Sequence, residues 1–122
     1  MDNQRQHILV INPNSDESVT EGISRELRGF HFSEGPEIEC VSLHDGPFRI
    51  ESQADIEAVT LPLRKIVSES WNVDAFVIAC YSDPGLHVCR EASEKPVFGI
   101  QECGILTAMS RGDRFGVIAL QE

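Results

Sequence analysis

Short apolar runs alternating with helix-patterned stretches constrain this chain more than any other feature. His7-Ile8-Leu9-Val10-Ile11 is a continuous apolar run that stops at Asn12-Pro13-Asn14, the pattern of a buried strand. Ser15-Asp16-Glu17-Ser18 offers a cap, and Val19, Ile23 and Leu27 follow at four-residue spacing, so a helix is predicted to about Leu27. Ile38, Cys40, Val41 and Leu43 suggest a second strand, and residues 44–51 a loop. A second helix is predicted from near Ser52, with Ile56, Val59, Leu63, Ile66 and Val67 on one face; Pro62 inside it should kink or split it. Ala75 to Cys80 reads as strand three, and Asp83-Pro84 as the opening of a helix. Pro96 to Ile100 reads as strand four, about Glu102 to Ser110 as a helix, and Arg114 to Leu120 as a fifth strand. This alternation predicts an α/β fold: a parallel sheet of about four to five strands with helices on both faces. Each strand in such a fold is ordinarily followed by a covering helix, and only Gln121-Glu122 follow strand five. The expected organisation is therefore one α/β domain over residues 1–113, with 114–122 as the first strand of a second, truncated domain.

Open parallel sheets bind ligands at the carboxyl ends of their strands. Here that edge would gather Asn12, Pro13, Asn14 and Ser15 after strand one, and Leu43, His44 and Asp45 after strand two. Cys80, Tyr81, Ser82 and Asp83 would follow strand three, and Gln101 and Glu102 strand four. Asn12 and Ser15 can hydrogen-bond a carbonyl or carboxylate, or they can form a plain turn and helix cap. The amides at the helix starts near Ser82 and Asp83 can bind an anion. Cys80 ends an apolar run directly before a helix start, where a thiol can ionise near neutral pH. Its bland alternative is a small buried hydrophobe. Of the other thiols, Cys40 is expected to pack within strand two, Cys89 mid-helix, and Cys103 to lie near the start of the last helix.

Composition narrows the partners. A net charge of −10 argues against nucleic acid or an anionic membrane. No stretch is long enough to span a bilayer, and Met1 to Gln6 lacks the basic start and apolar core of a signal peptide. The chain reads as cytoplasmic, and its four cysteines as reduced thiols rather than a disulfide framework. Cys40 with His44, and His87 with Cys89, lack the doubled spacing of a structural zinc site, so no metal is expected. Strand one ends in Asn-Pro-Asn-Ser rather than a glycine run, which speaks against a nucleotide.

Ile8 to Ser15, Asp74 to Leu86, Arg90-Glu91-Ala92, Pro96 to Ile100 and Glu102 together resemble the Asp/Glu/hydantoin racemase family, closest to its hydantoin and allantoin racemase branch. The resemblance implies two similar α/β halves with the active site between them, and a chain about twice this length. It implies a cofactor-independent racemase or epimerase that inverts a carbon next to a carbonyl, in a hydantoin, allantoin or acidic amino acid. Two cysteines, one from each half, would act as the acid and base. Cys80 resembles the first of them; Asn12, Ser15, Tyr81, Ser82 and Asp83 resemble substrate-binding elements. The second cysteine's motif has no match here, so the 122-residue chain alone is expected to be inactive. The partner implied is a small molecule, and association of copies through an exposed half-interface is left open. The alternatives are a decarboxylase or cis-trans isomerase of the same superfamily, or an inactive fragment that serves only as a binding domain. A receiver-like signalling domain would need an acidic pair after strand one and an Asp ending strand three; Asn12-Pro13-Asn14 and Cys80 stand there instead.

Overall fold

The computed structural model describes residues 5–119. Four strands, β1 (His7–Asn12), β2 (Glu37–Ser42), β3 (Ala75–Ile78) and β4 (Val97–Gly99), form one sheet in the order β2-β1-β3-β4. Every pairing is parallel, with Ile11 opposite Val41 on one side and Ile78 on the other. Four helices alternate with the strands: α1 (Glu17–Glu26), α2 (Gln53–Glu69), α3 (Leu86–Ala92) and α4 (Ile100–Arg111). A 3-10 turn, Leu27–Phe30, extends α1. The predicted α/β class and the parallel sheet of four strands are found.

The period-2 alternation of the strands sorts their side chains between two faces. Leu9 and Ile11 of β1, Phe76 and Ile78 of β3, and Val97 of β4 form the core with Val59, Leu63 and Val67 of α2 and with Leu86 and Cys89 of α3. Ile8, Val10, Val77 and Ala79 face the other way, where Ile23 and Leu27 cover them in part. Between these residues an apolar groove of about 590 Å3 stays open. Phe30 and Phe32 flank it on one side and Ile100 on another.

Three expectations are corrected. Pro62, expected to kink or split α2, does not split it: the helix runs unbroken for 17 residues. Proline removes one backbone donor, while Val59 and Leu63 on either side of it are fully buried and hold the helix to the sheet. The helix expected at Asp83-Pro84 begins at Leu86 instead. Asp83 (φ 47°) and Gly85 (φ 68°) are both left-handed, so the chain makes two turns before it can wind into a helix. Residues 114–119 pair with no strand among the described residues; Leu120, Gln121 and Glu122 lie outside them.

Candidate active site

β1 sits between β2 and β3, so the chain leaves β1 toward one side of the sheet and returns on the other. Loops diverge at such a switch point and leave a crevice at the carboxyl edge. The loop after β1 and the turn after β3 flank it. The Ala79 N–H donates to the Ile11 carbonyl at 2.8 Å, which brings Asn12 and Cys80 to adjacent strand ends. Asn12-Pro13-Asn14-Ser15 and Cys80-Tyr81-Ser82-Asp83 are therefore brought together, as the sequence predicts.

The side chains within these segments divide into those that build the site and those that face out of it. Asn12 is buried, and its amide is committed inward. Nδ2 donates to Asn14 Oδ1 (2.8 Å), Thr20 Oγ1 (3.0 Å) and the Asp16 carbonyl (3.4 Å), while Oδ1 accepts from the Asn14 N–H (3.2 Å). The Thr20 hydroxyl in turn shares a hydrogen bond with Ser42 of β2. Asp16 caps α1 by accepting from the Ser18 N–H at 3.0 Å. Asn12 thus fixes the loop. Asn14 Oδ1 also accepts from the Asp16 N–H at 2.9 Å, which leaves Asn14 Nδ2 as the loop's side-chain amide donor outside this network. Half-buried Ser15 is held through its backbone N–H to the Pro47 carbonyl (2.9 Å), so its hydroxyl is not needed for the loop.

Cys80 is half-buried, with its Sγ 3.4 Å from the Ser82 hydroxyl. The Asp83 N–H donates to the Cys80 carbonyl at 3.0 Å and closes the turn. Tyr81 and Ser82 at its tip are exposed. Asp83 is half-buried: Oδ1 and Oδ2 accept from the N–H groups of Gln101 (2.9 Å) and Glu102 (2.8 Å), the first turn of α4. The expectation that helix-start amides near Ser82 and Asp83 stand ready for an external anion is corrected on two counts. α3 starts further on, and the amides of α4 already hold Asp83. The acid supplies the charge that an N-terminal dipole favours. Arg90 braces the same corner, donating to the Val97 carbonyl (3.1 Å) and, through both terminal nitrogens, to the Glu102 carboxylate (2.8 and 3.2 Å). The guanidinium holds the Glu102 carboxyl below its ordinary range.

The remaining thiols differ from Cys80. Cys89 is fully buried in the core, and burial pushes its pKa up to about 11. Cys40 is half-buried in β2, and burial raises its pKa too. Cys103 is exposed on α4. His44 lies on the surface beside Glu17, its Nδ1 3.3 Å from the carboxylate, and Phe48 is exposed. Among the described residues no three His, Cys, Asp or Glu side chains gather as a metal site would require. No helix of these residues is long and apolar enough to cross a membrane.

A parallel α/β sheet with a thiol turn and an amide-bearing loop at adjacent strand ends across its switch point defines the class: an open-sheet α/β protein, a fold in which ligands bind at the carboxyl edge. The chain belongs to the Asp/Glu/hydantoin racemase family, whose profile matches residues 8–122. It is similar to the hydantoin racemase of Pseudomonas sp. (strain NS671), 41% identical over an alignment of 117 positions that covers 93% of this chain and 46% of that protein. The allantoin racemase of Klebsiella pneumoniae has a similar structure, with a TM-score of 0.79 at 33% identity over 86% of this chain and 43% of that one. The allantoin racemase of Pseudomonas fluorescens superposes with a TM-score of 0.81 at 27% identity, over 90% and 47% of the two chains. The chain spans about half the length of these relatives.

Proposed function

We propose that this chain forms one half of a cofactor-independent racemase that inverts a carbon next to a carbonyl, with a hydantoin or allantoin as substrate class. In this reading residues 1–113 are the first α/β unit and 114–122 begin the second. The observation that carries it is the meeting of the Cys80 turn and the Asn12–Ser15 loop at the β1/β3 switch point, locked by the hydrogen bond from Ala79 to Ile11.

Cys80, as thiolate, takes the proton from one face of the carbon and becomes a thiol. The electron pair left behind delocalises onto the ring carbonyl. A second thiol on the opposite face, from the half that this chain does not contain, delivers its proton to that face and becomes the thiolate. One group cannot serve both faces of a planar intermediate, so inversion needs two. Thiols suit the task because a modest shift brings their pKa near neutrality, where acid and base forms are both available. The Asn14 amide and the Ser15 and Ser82 hydroxyls are the donors at hand for the oxygen on which charge develops. A hydantoin carbon is acidic enough for this device because its carbanion conjugates with the ring and carries no free ammonium.

Polarimetry tests the reading. The chain is joined to the second half of the Pseudomonas relative and given an enantiopure 5-substituted hydantoin or allantoin. Optical rotation should decay to zero, and Cys80→Ser should slow that decay by about three orders of magnitude or more, the scale of losing an essential acid or base. Decay in the Cys80→Ser protein within about twofold of its parent would remove Cys80 from the reaction.

A further inference from the structure

We propose that Asp83 is a positioning residue: its carboxylate clamps the Cys80 turn to the first turn of α4 and holds the thiol in place from behind. The proposal rests on the reading of Cys80 as the reacting thiol, and it replaces the expectation that Asp83 contacts substrate.

Four observations converge on it. Asp83 is the one non-glycine residue with positive φ among the described residues, at 47°. Left-handed backbone costs an L-residue about 1 kcal/mol, so something must hold it there. Both carboxylate oxygens are engaged, at 2.9 and 2.8 Å, by the Gln101 and Glu102 N–H groups. These contacts span 18 and 19 positions of sequence, so they tie two loops of the edge together rather than closing a local turn. The Asp83 N–H, in turn, bonds the Cys80 carbonyl at 3.0 Å. One residue therefore connects the backbone of Cys80 to the start of α4.

Gly99 supplies the independent sign. It caps α4 with an ordinary extended backbone (φ −100°), so its lack of a side chain is not a matter of conformation. A Cβ placed there would overlap the Asp83 carboxyl carbon and both carboxylate oxygens. The strand-to-helix junction is hollowed to receive this one side chain. Both Asp83 oxygens accept a backbone N–H from the first turn of α4.

The pair permits a double-mutant cycle that uses no substrate, so its outcome does not depend on whether the protein is a racemase. Asp83→Ala removes the carboxylate. Gly99→Ala expels it while leaving Asp83 in the chain. Each should speed hydrogen exchange of the Gln101 and Glu102 amides by about tenfold or more, the effect of losing a local protecting contact. Each should also change the alkylation rate of Cys80 by iodoacetamide, read by peptide mass spectrometry, by about threefold or more. Because Asp83→Ala vacates the space that Gly99→Ala fills, the double variant should match Asp83→Ala alone on both readouts. Cys89, fully buried, reports the core in the same experiment and should stay unlabelled. Should either alanine variant label at Cys89, Asp83→Asn takes its place: it keeps one acceptor and should release only one of the two amides while still shifting the Cys80 rate. The proposal is overturned if Cys80 alkylates within about 1.5-fold of the parent rate while the α4 amides lose protection, since Asp83 would then be a helix cap without influence on the thiol. Additive effects of the two substitutions would overturn it as well.

Discussion

Asn12 and Asp83 show how a residue's place in the fold can be legible while the partners of its side chain are not. The sequence puts both on the carboxyl edge, as the structure does, because apolar runs announce where strands end. It could not say where their side chains turn. That depends on Thr20, Ser42 and Gln101, which reach them only through the register of β1 with β2 and the course of β4 into α4. Asn14, half-buried and with its Nδ2 outside the Asn12 network, was named on the edge without being singled out. Truncating Asn12 would take one donor from the buried Thr20 hydroxyl and leave the Asn14 N–H without its acceptor. Asn12→Ala should therefore lower unfolding stability in urea by about 1–3 kcal/mol, the cost of unsatisfied buried polar groups. An Asn12→Ala protein as stable as its parent would show that the network matters little. Cys89 makes a prediction about pH. Its folded pKa is raised to about 11 from an ordinary 9.0. Below pH 9 both states hold the proton and the contribution is fully present. Between 9 and 11 the unfolded chain releases it first, so stability falls as pH rises, and the fall from this group ends once the folded thiol also ionises. Replacing it, as in Cys89→Ala, should leave a shallower alkaline slope in urea titrations, whatever it does to stability at pH 7. An unchanged slope would contradict the assignment.

At the scale of elements, the strands and the long helix were the most legible because their signals are continuous. β1 carries an unbroken apolar run, and α2 presents buried Val59, Leu63 and Val67 at four-residue spacing behind a capping box. In that box Ser52 Oγ accepts from the Asp55 N–H (3.1 Å), and the Asp55 carboxylate accepts from the Ser52 N–H (3.0 Å). The Asp55 N–H, one of the four donors at the helix start, would lose its partner in Ser52→Ala, so that change should cost about 1 kcal/mol by urea denaturation. A loss below about 0.3 kcal/mol would mean that water replaces the cap. The misjudged elements were those in which a local rule met a tertiary contact. Proline's rule against helix interiors yielded to the buried face of α2. The rule that favours proline at a helix start yielded to the left-handed backbone of Asp83 and Gly85, and α3 begins at Leu86, three residues after Asp83. Residues 114–119 have strand-like composition but find no neighbouring edge among the described residues. Composition shows that a segment could pair without supplying anything for it to pair with.

The whole molecule is an α/β unit with one well-covered sheet face and one partly covered. The half-covered face holds the groove between Val10, Val77 and Ile100, and α4 has no buried residue although Leu106 and Met109 lie on it. At the carboxyl edge the Asn12–Ser15 loop follows β1 and the Cys80 turn follows β3. The chain spans about half of its relatives' length, and the proposed reading makes this edge one face of a two-sided site. The 122-residue chain alone is accordingly expected to leave the rotation of an enantiopure hydantoin unchanged; decay at the rate of the joined protein would refute the need for a second half. The central claim is that Cys80 serves one face of the substrate carbon only. Its most direct test follows each enantiomer by proton NMR in deuterium oxide, using the joined protein with Cys80→Ser. The account predicts that one enantiomer exchanges its carbon-bound proton for deuterium without inverting, because the remaining thiol still works its own face, while the other does not exchange. Inversion of both enantiomers at the parent rate would contradict it.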